Sequence, residues 1–367
     1  MSHYNLAFLG FGNVGRALAQ LLIRKEKELK EKYDITFSVI GIATGRHGSL
    51  IKHNGVDLNG ALELARSGRS LKLLTSELIK DSFDFIQKCK ADVLFENTSV
   101  NHETGEPSLS HVRTALALGM HVCTANKGPV VHAYKELQDL ADANGVRFLH
   151  ESTVMDGAPI FSLFRETIPA SNLLSFKGVL NSTTNLILSR LERGDSFDEA
   201  VTHCQQVGIA ETDPSGDVDG WDAAIKVAAL VTALMGIPLK PQDVDRTGIR
   251  DITPQMVADA LKDGKRYKLI CSAERDGDKI ITARVAPELI PSASPIFSVE
   301  GTPLGKGGLS GKPLFVYAST PLRLRSETGR FIHQNTLDKA LTAGLQIQLE
   351  RNTISQHITT TKFRRNQ

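Results

Sequence analysis

Two rhythms of apolar residues alternate along the first 150 positions. Tyr4 to Leu9 is a short continuous apolar run, Arg16 to Lys32 carries Ala17, Leu18, Leu21 and Leu22 at helical spacing, and Ile35 to Ala43 is again continuous. Asp92 to Glu96, Met120 to Thr124 and Gly145 to His150 are further short runs of the strand type. Buried strands alternating with amphipathic helices predict a parallel sheet covered on both faces, a Rossmann-type doubly wound domain over residues 1–150. The pattern then changes. Phe161 to Thr167 and Asn185 to Gly194 read as helices with the strand Leu174 to Leu180 between them, and Val227 to Met235 reads as a strongly apolar helix. Lys265 to Ala273 and Lys279 to Pro287 read as a hairpin turning at Asp276-Gly277. These elements predict a second α/β domain over residues 151–302, with Glu151 to Pro159 as the junction and residues 303–367 as a separate tail.

The first apolar run stops at Gly10-Phe11-Gly12-Asn13-Val14-Gly15 and a helical pattern follows at once. Strand, glycine turn and helix in this order make a dinucleotide-binding loop. Gly10 permits the tight turn, Gly12 lets a pyrophosphate approach the backbone, and Gly15 lets helix and strand pack closely, while Asn13 and Val14 place helix N–H groups toward the anion. The second strand should end at the adenosine ribose, where an acidic residue would mark NAD. None is present. The chain reads Thr44-Gly45-Arg46-His47-Gly48, and an arginine beside a short hydroxyl suits a 2'-phosphate, so NADP is favoured over NAD; a solvated loop arginine and use of both cofactors fit the same residues. Thr98 and Lys127 follow the next two strand ends, where a doubly wound sheet lines its ligand crevice.

The densest chemistry runs from Gly208 to Lys226, with Glu211, Asp213, Asp217, Asp219 and Asp222 preceding a single lysine. Asp219 reads as a helix N-cap. Asp222 and Lys226 are four apart, so they share a helix face on which a carboxylate holds a lysine charged against desolvation. A structural ion pair and a lysine positioned against a carbonyl both fit this spacing. Asn181-Ser182-Thr183-Thr184-Asn185, at a strand-to-helix turn, fits plain capping and ligand contact equally.

Composition narrows the classes. The chain has 367 residues, 43 Lys+Arg against 41 Asp+Glu and a net charge of +2, so neither nucleic acid nor an anionic membrane is expected as a partner. Cys89, Cys123, Cys204 and Cys271 form no C-x-x-C, which argues against a disulfide framework and a zinc site. The apolar stretch Val227 to Leu239 is too short to span a bilayer, and no basic segment precedes the first apolar run. A cytoplasmic enzyme acting on a small molecule is the expectation.

The run Gly208-Ile209-Ala210, Asp213-Pro214, Asp217, Gly220, Asp222 and Lys226 resembles the signature of the homoserine dehydrogenases, and the resemblance extends over about residues 3 to 301. Cys204 stands where that pattern usually has alanine. The resemblance implies an NAD(P)-dependent enzyme that interconverts L-aspartate 4-semialdehyde and L-homoserine, a step toward threonine, methionine and isoleucine. It implies that Lys226 and Lys127 flank the reacting carbonyl, with Lys226 the first choice as proton donor, that Asp222 orients Lys226, that Glu211 receives the substrate ammonium, and that Asp217 and Asn181 support the substrate. Thr98, Asn126 and Lys127 would join the glycine loop at the cofactor. A structural sodium ion is implied at Glu151, Val154, Asp156 and Ala158, and a homodimer through the second domain's sheet. Ser182 and Met155-Asp156-Gly157 depart from the usual glycines.

After residue 302 the resemblance ends. From Pro303 onward the chain carries ten Lys+Arg against three Asp+Glu, and its Gly-Lys run lacks the spacing of a P-loop. Missing closing strands would leave the second sheet with an exposed edge. A dehydrogenase of another small amino or oxo acid, or an inactive nucleotide-binding homologue, remains as the other reading; turnover of homoserine separates them.

Overall fold

The computed structural model describes residues 1–75, 77–155, 159–167, 172–300 and 316–317. Its first sheet contains β1 (Ser2–Leu9), β2 (Ile35–Thr44), β3 (Gly48–Ile51), β4 (Val93–Glu96), β5 (His121–Thr124) and β6 (Phe148–Leu149) in the order β3-β2-β1-β4-β5-β6. All neighbours are parallel except β3, which doubles back on β2. The helices α1 (Asn13–Tyr33), α2 (Leu58–Arg66), α3 (Ser82–Cys89), α4 (Ser108–Ala117) and α5 (Lys127–Ala143) lie between these strands.

The continuous apolar run of β1 follows from its central place. Phe8 packs with Phe11, Ile42, Leu50 and Leu71, whereas Ala7 and Leu9 belong to the opposite cluster with Ile40, Phe85, Leu94 and Leu116. Alternate residues thus feed two cores, one on each face. From β1 the chain first builds outward through β2, then returns to lay β4 on the other side. That reversal leaves a crevice above the carboxyl ends of β1 and β4, the place where open α/β sheets bind ligands.

The second unit contains α6 (Ile160–Ser162), β7 (Ser175–Gly178), α7 (Ser182–Leu191), α8 (Phe197–Gln206), α9 (Ser215–Val218), α10 (Trp221–Leu230), β8 (Asp245–Arg246), α11 (Pro254–Lys262), β9 (Lys265–Asp276), β10 (Lys279–Pro291) and β11 (Val316–Tyr317). Its sheet runs β11-β7-β9-β10-β8. The β9–β10 hairpin turns at Gly277, where φ is +56°, and α10 packs on both of its strands. β11, from the divergent tail, pairs antiparallel with β7. The rest of the tail lies outside the described residues.

Several elements differ from the expectations. The helix expected from Asn185 begins at Ser182, three residues early, because the Asn181 side chain accepts the Thr184 N–H and caps it, and the strand before it ends at Gly178 rather than Leu180. The segment expected as one helix over Phe161 to Thr167 is a single turn that widens into a π-type turn from Leu163. The last strand of the first sheet shrinks to Phe148–Leu149 at the edge. Asp219 is not an N-cap. Gly220, at φ +82°, holds that position for α10, while the Asp219 carboxylate pairs with Arg250 and its carbonyl accepts from Arg246.

Candidate functional site

The glycine loop follows directly from backbone sterics. Gly10 has φ +94°, and a Cβ there would lie 2.4 Å from the Asn97 carbonyl oxygen. A Cβ on Gly15 would lie 2.6 Å from the Gly10 carbonyl oxygen, whereas nothing stands within 4 Å of one on Gly12. Two glycines therefore serve close packing and the third faces open space. α1 begins at Asn13 without a side-chain cap and without an acid in its first turn, so its N–H groups and positive dipole end remain available to an anion. Val14 is exposed, and the Asn13 side chain accepts from Arg16. These features fit a dinucleotide pyrophosphate.

At the end of β2, Thr44 Oγ1 accepts the N–H groups of Arg46 and His47 and fixes the turn. Arg46 is exposed, and its guanidinium makes no ion pair among the described residues. Lys72 was missed in the sequence. Its side chain lies over Gly48, so a second ammonium stands beside the turn. Separation of 24 residues between the two positions gave no sequence signal.

The chemical centre lies where the two halves meet. Asn126 caps α5, so Lys127 is the first residue of that helix. Its Nζ lies 3.4 Å from Asp222 Oδ1, while Lys226 Nζ lies 2.6 Å from Asp222 Oδ2. One carboxylate bridges two ammonium groups, one from each half. Lys226 also donates to the Leu180 carbonyl at 2.8 Å. Asn181 Nδ2 donates to Asp217 at 2.6 Å and to Asp222 at 2.9 Å, so the same side chain caps α7 and joins two acids. Capping and site contact, left open in the sequence, coexist in one amide.

Burial opposes the charge on Asp222, but Lys226 and Lys127, with hydrogen bonds from Lys226 and Asn181, outweigh it and hold the carboxyl well below the usual range. Burial likewise pulls the Lys226 ammonium down, and the charge and hydrogen bond of Asp222 override it, leaving the group above its ordinary value. Asp217 is pushed up by burial. The three central side chains keep 15 to 21 % exposure, so they are desolvated yet reachable.

Replacing Asp222 by Asn should cost about 3 kcal/mol at neutral pH, because two desolvated ammoniums lose their shared counter-ion. A folded value depressed below the unfolded one contributes stability at higher pH. The difference between parent and variant should therefore be full above about pH 5 and shrink as the pH falls below about 4. Urea unfolding at both pH values reads it; equal stabilities at neutral pH would contradict the bridge.

Other predicted residues lie differently. Glu211 is exposed, and its carboxylate makes no hydrogen bond or ion pair to the cluster among the described residues. At the implied cation site, Glu151 accepts N–H groups from Phe161 and Ser162 and the Ser162 hydroxyl, which leaves about one of its four lone-pair sites free. Val154 is buried beside it in sequence, and Asp156 and Ala158 lie outside the described residues. Thr98 donates through its N–H to Glu96 at 3.0 Å and touches the same oxygen with its hydroxyl. Asn126 donates to the carbonyls of Thr98 and Ser99, binding that loop to the start of α5. Glu96 and His102 escaped the sequence reading. His102 lies within electrostatic reach of Asp222 and Lys127, and burial moves its pKa down. The available signal for Glu96 was a lone acid ending an otherwise apolar central strand.

Comparison with known proteins finds similarity in two segments of the chain. Residues 10–151 match the sequence profile described as homoserine dehydrogenase, NAD binding domain, and residues 159–304 match that of homoserine dehydrogenase. The NAD(+)-dependent homoserine dehydrogenase of Pseudomonas canavaninivorans is 36 % identical over 307 residues, covering 82 % of this chain and 85 % of that protein. The chain belongs to the homoserine dehydrogenase family. The homoserine dehydrogenase of Methanocaldococcus jannaschii is 38 % identical over 300 residues, covering 81 % of this chain and 87 % of the relative. Among solved structures, a hyperthermophilic archaeal homoserine dehydrogenase in complex with NADPH superposes with a TM-score of 0.68 at 29 % identity, covering 82 % of this chain and 86 % of that one. Family membership makes the chain an NAD(P)-dependent oxidoreductase acting on a CH–OH group.

Proposed function

We propose that this chain interconverts L-homoserine and L-aspartate 4-semialdehyde with NADP(H), and that Lys226 exchanges the proton of the reacting oxygen. The Asp222 carboxylate shared by Lys226 and Lys127 carries this reading. A bound reduced nicotinamide would supply the hydride that the aldehyde carbon receives. An ammonium has three N–H donors; Leu180 and Asp222 take two from Lys226, and the third is left for the substrate oxygen. As the carbonyl π bond breaks, that oxygen becomes an alkoxide, far more basic than an amine, and takes the Lys226 proton. Solvent then restores the ammonium, which the Asp222 charge favours.

Lys127, whose ammonium contacts Asp222 at 3.4 Å and makes no other ion pair among the described residues, can polarise the carbonyl or meet the substrate carboxylate. Asp217 and the exposed Glu211 supply carboxylates for the substrate ammonium, with Asn181 holding Asp217 in place. Glu151 and the carbonyls of its segment would hold a monovalent cation, which would tie the start of the second unit together and take no part in the reaction. A homodimer is favoured by Ile281 and Leu289, exposed apolar residues on β10. The expected location remains the cytoplasm.

The cofactor reading rests on Arg46. A close relative is NAD(+)-dependent and a solved neighbour binds NADPH, so similarity leaves the preference to local residues. A free guanidinium beside Thr44, with Lys72 nearby, favours the 2'-phosphate. Arg46→Ala should raise the KM for NADP about ten-fold or more and leave that for NAD nearly unchanged, the scale of one lost charge-assisted contact. Equal effects on both cofactors would remove Arg46 from this role. The direct test of function is homoserine oxidation by the full chain, followed at the absorbance of the reduced nicotinamide with NADP and NAD in parallel. Turnover supports the reading; a folded chain that binds cofactor without turnover overturns it in favour of an inactive homologue.

A further inference from the structure

Glu96 is the last residue of β4 and is fully buried. Four donors converge on its two oxygens: the Thr98 N–H at 3.0 Å, the Thr98 hydroxyl, the Ser108 hydroxyl at 2.7 Å and the Thr124 hydroxyl at 2.8 Å. Four donors match the four acceptor sites of a carboxylate. Every one of these donors is neutral. Among the described residues no lysine, arginine or histidine lies within ion-pairing distance of it. The His111 imidazole is within electrostatic reach of Glu96, but burial moves its pKa down, so the carboxylate is held chiefly by neutral dipoles, a costly arrangement for a buried charge.

Its position is specific. Glu96 lies opposite Leu9 of β1 and Thr124 of β5 in the sheet, at the carboxyl ends that line the crevice. The next two residues, Asn97 and Thr98, form the backbone surface against which Gly10 packs, and Thr124 Oγ1 in turn accepts the Asn126 N–H ahead of Lys127. The carboxylate therefore sits behind the surface on which the nicotinamide must lie if the cofactor reading holds. That ring is cationic when oxidised and neutral when reduced.

We propose that Glu96 is an electrostatic positioning residue, whose buried negative charge stabilises the oxidised, cationic nicotinamide over the reduced one while its hydrogen bonds hold Thr98 and Thr124 in place. This inference rests on the cofactor reading above. In the low-dielectric floor of the crevice the attraction is screened far less than in water, and it acts on one redox state only. It favours release of hydride from the reduced cofactor and tight retention of the oxidised one.

The test uses dissociation constants of NADP+ and NADPH for the full chain, measured by titration calorimetry without substrate. Glu96→Gln keeps the shape and much of the hydrogen bonding and removes the charge. It should weaken NADP+ about ten-fold more than NADPH, the scale of one partly screened unit charge. Equal losses for both forms overturn the inference. Ser108→Ala removes one donor and leaves the charge, so it should lower Tm with the parental NADP+/NADPH ratio intact; a ratio shift as large as that of Glu96→Gln would assign the effect to packing and overturn the proposal. The parent gives a reading that no variant's folding can obscure: it should bind NADP+ at least as tightly as NADPH, and a ten-fold preference for NADPH contradicts the inference. A parent that binds neither nucleotide fails the cofactor reading itself; a parent that binds both, with no differential loss in Glu96→Gln, fails this inference alone.

Discussion

Lys226→Ala is expected to lower kcat for homoserine oxidation by about two to four orders of magnitude, the contribution of a positioned acid–base group, with the dissociation constant of NADP+ nearly unchanged. The loss should appear in kcat because the third N–H of Lys226 meets an oxygen whose charge develops only during hydride transfer. Lys226 lies on α10, in the half opposite the glycine loop, so cofactor binding offers an internal control for folding. The variant leaves the Leu180 carbonyl without its ammonium donor and Asp222 with Lys127 and the Asn181 amide, so some stability should also be lost. Circular dichroism fixes the temperature at which the variant is still folded. Turnover within ten-fold of the parent at that temperature would transfer the proton to another group, with Lys127 as the first candidate.

Two glycine substitutions should separate folding from cofactor binding. Gly12→Ala meets no atom within 4 Å, so Tm should hardly move, yet its methyl enters the space left for the pyrophosphate. The dissociation constant of NADP+ should rise by about ten-fold or more, since loss of close approach weakens several charge-assisted contacts together. Gly10→Ala meets the Asn97 carbonyl oxygen at 2.4 Å and forces an alanine to φ +94°. Strain and clash at the junction of β1 and β4 should cost on the order of 3 kcal/mol, read as a lowered Tm. Unchanged NADP+ affinity in Gly12→Ala would mean that the anion does not lie over this loop.

Five strands and the first helix of the first unit were legible because each is specified locally, whereas β3 and the helices α2 to α5 were not placed from the sequence. A continuous apolar run flanked by helical spacing describes a strand buried on both faces, and the glycine loop needs only its neighbours to be recognised. The Asp222–Lys226 pair was legible for the same reason, being one helical turn apart. Asp219 was misread because capping residues are judged from sequence by type, whereas Gly220 took the position through a conformation that only the fold requires.

The sequence by itself therefore determined the strand–helix alternation, the nucleotide loop, the absence of an acid at the end of β2 and the shared face of Asp222 and Lys226. Tertiary structure alone decided that Lys127 reaches the same carboxylate across a separation of 95 positions, that Asn181 ties Asp217 to Asp222, and that Glu96 gathers donors from three separate segments. The reason is physical. Periodicity records which face of an element is buried, but a charge is paired, desolvated or left to neutral dipoles according to what other elements bring against it, and that partner is chosen by packing rather than by neighbours in the chain.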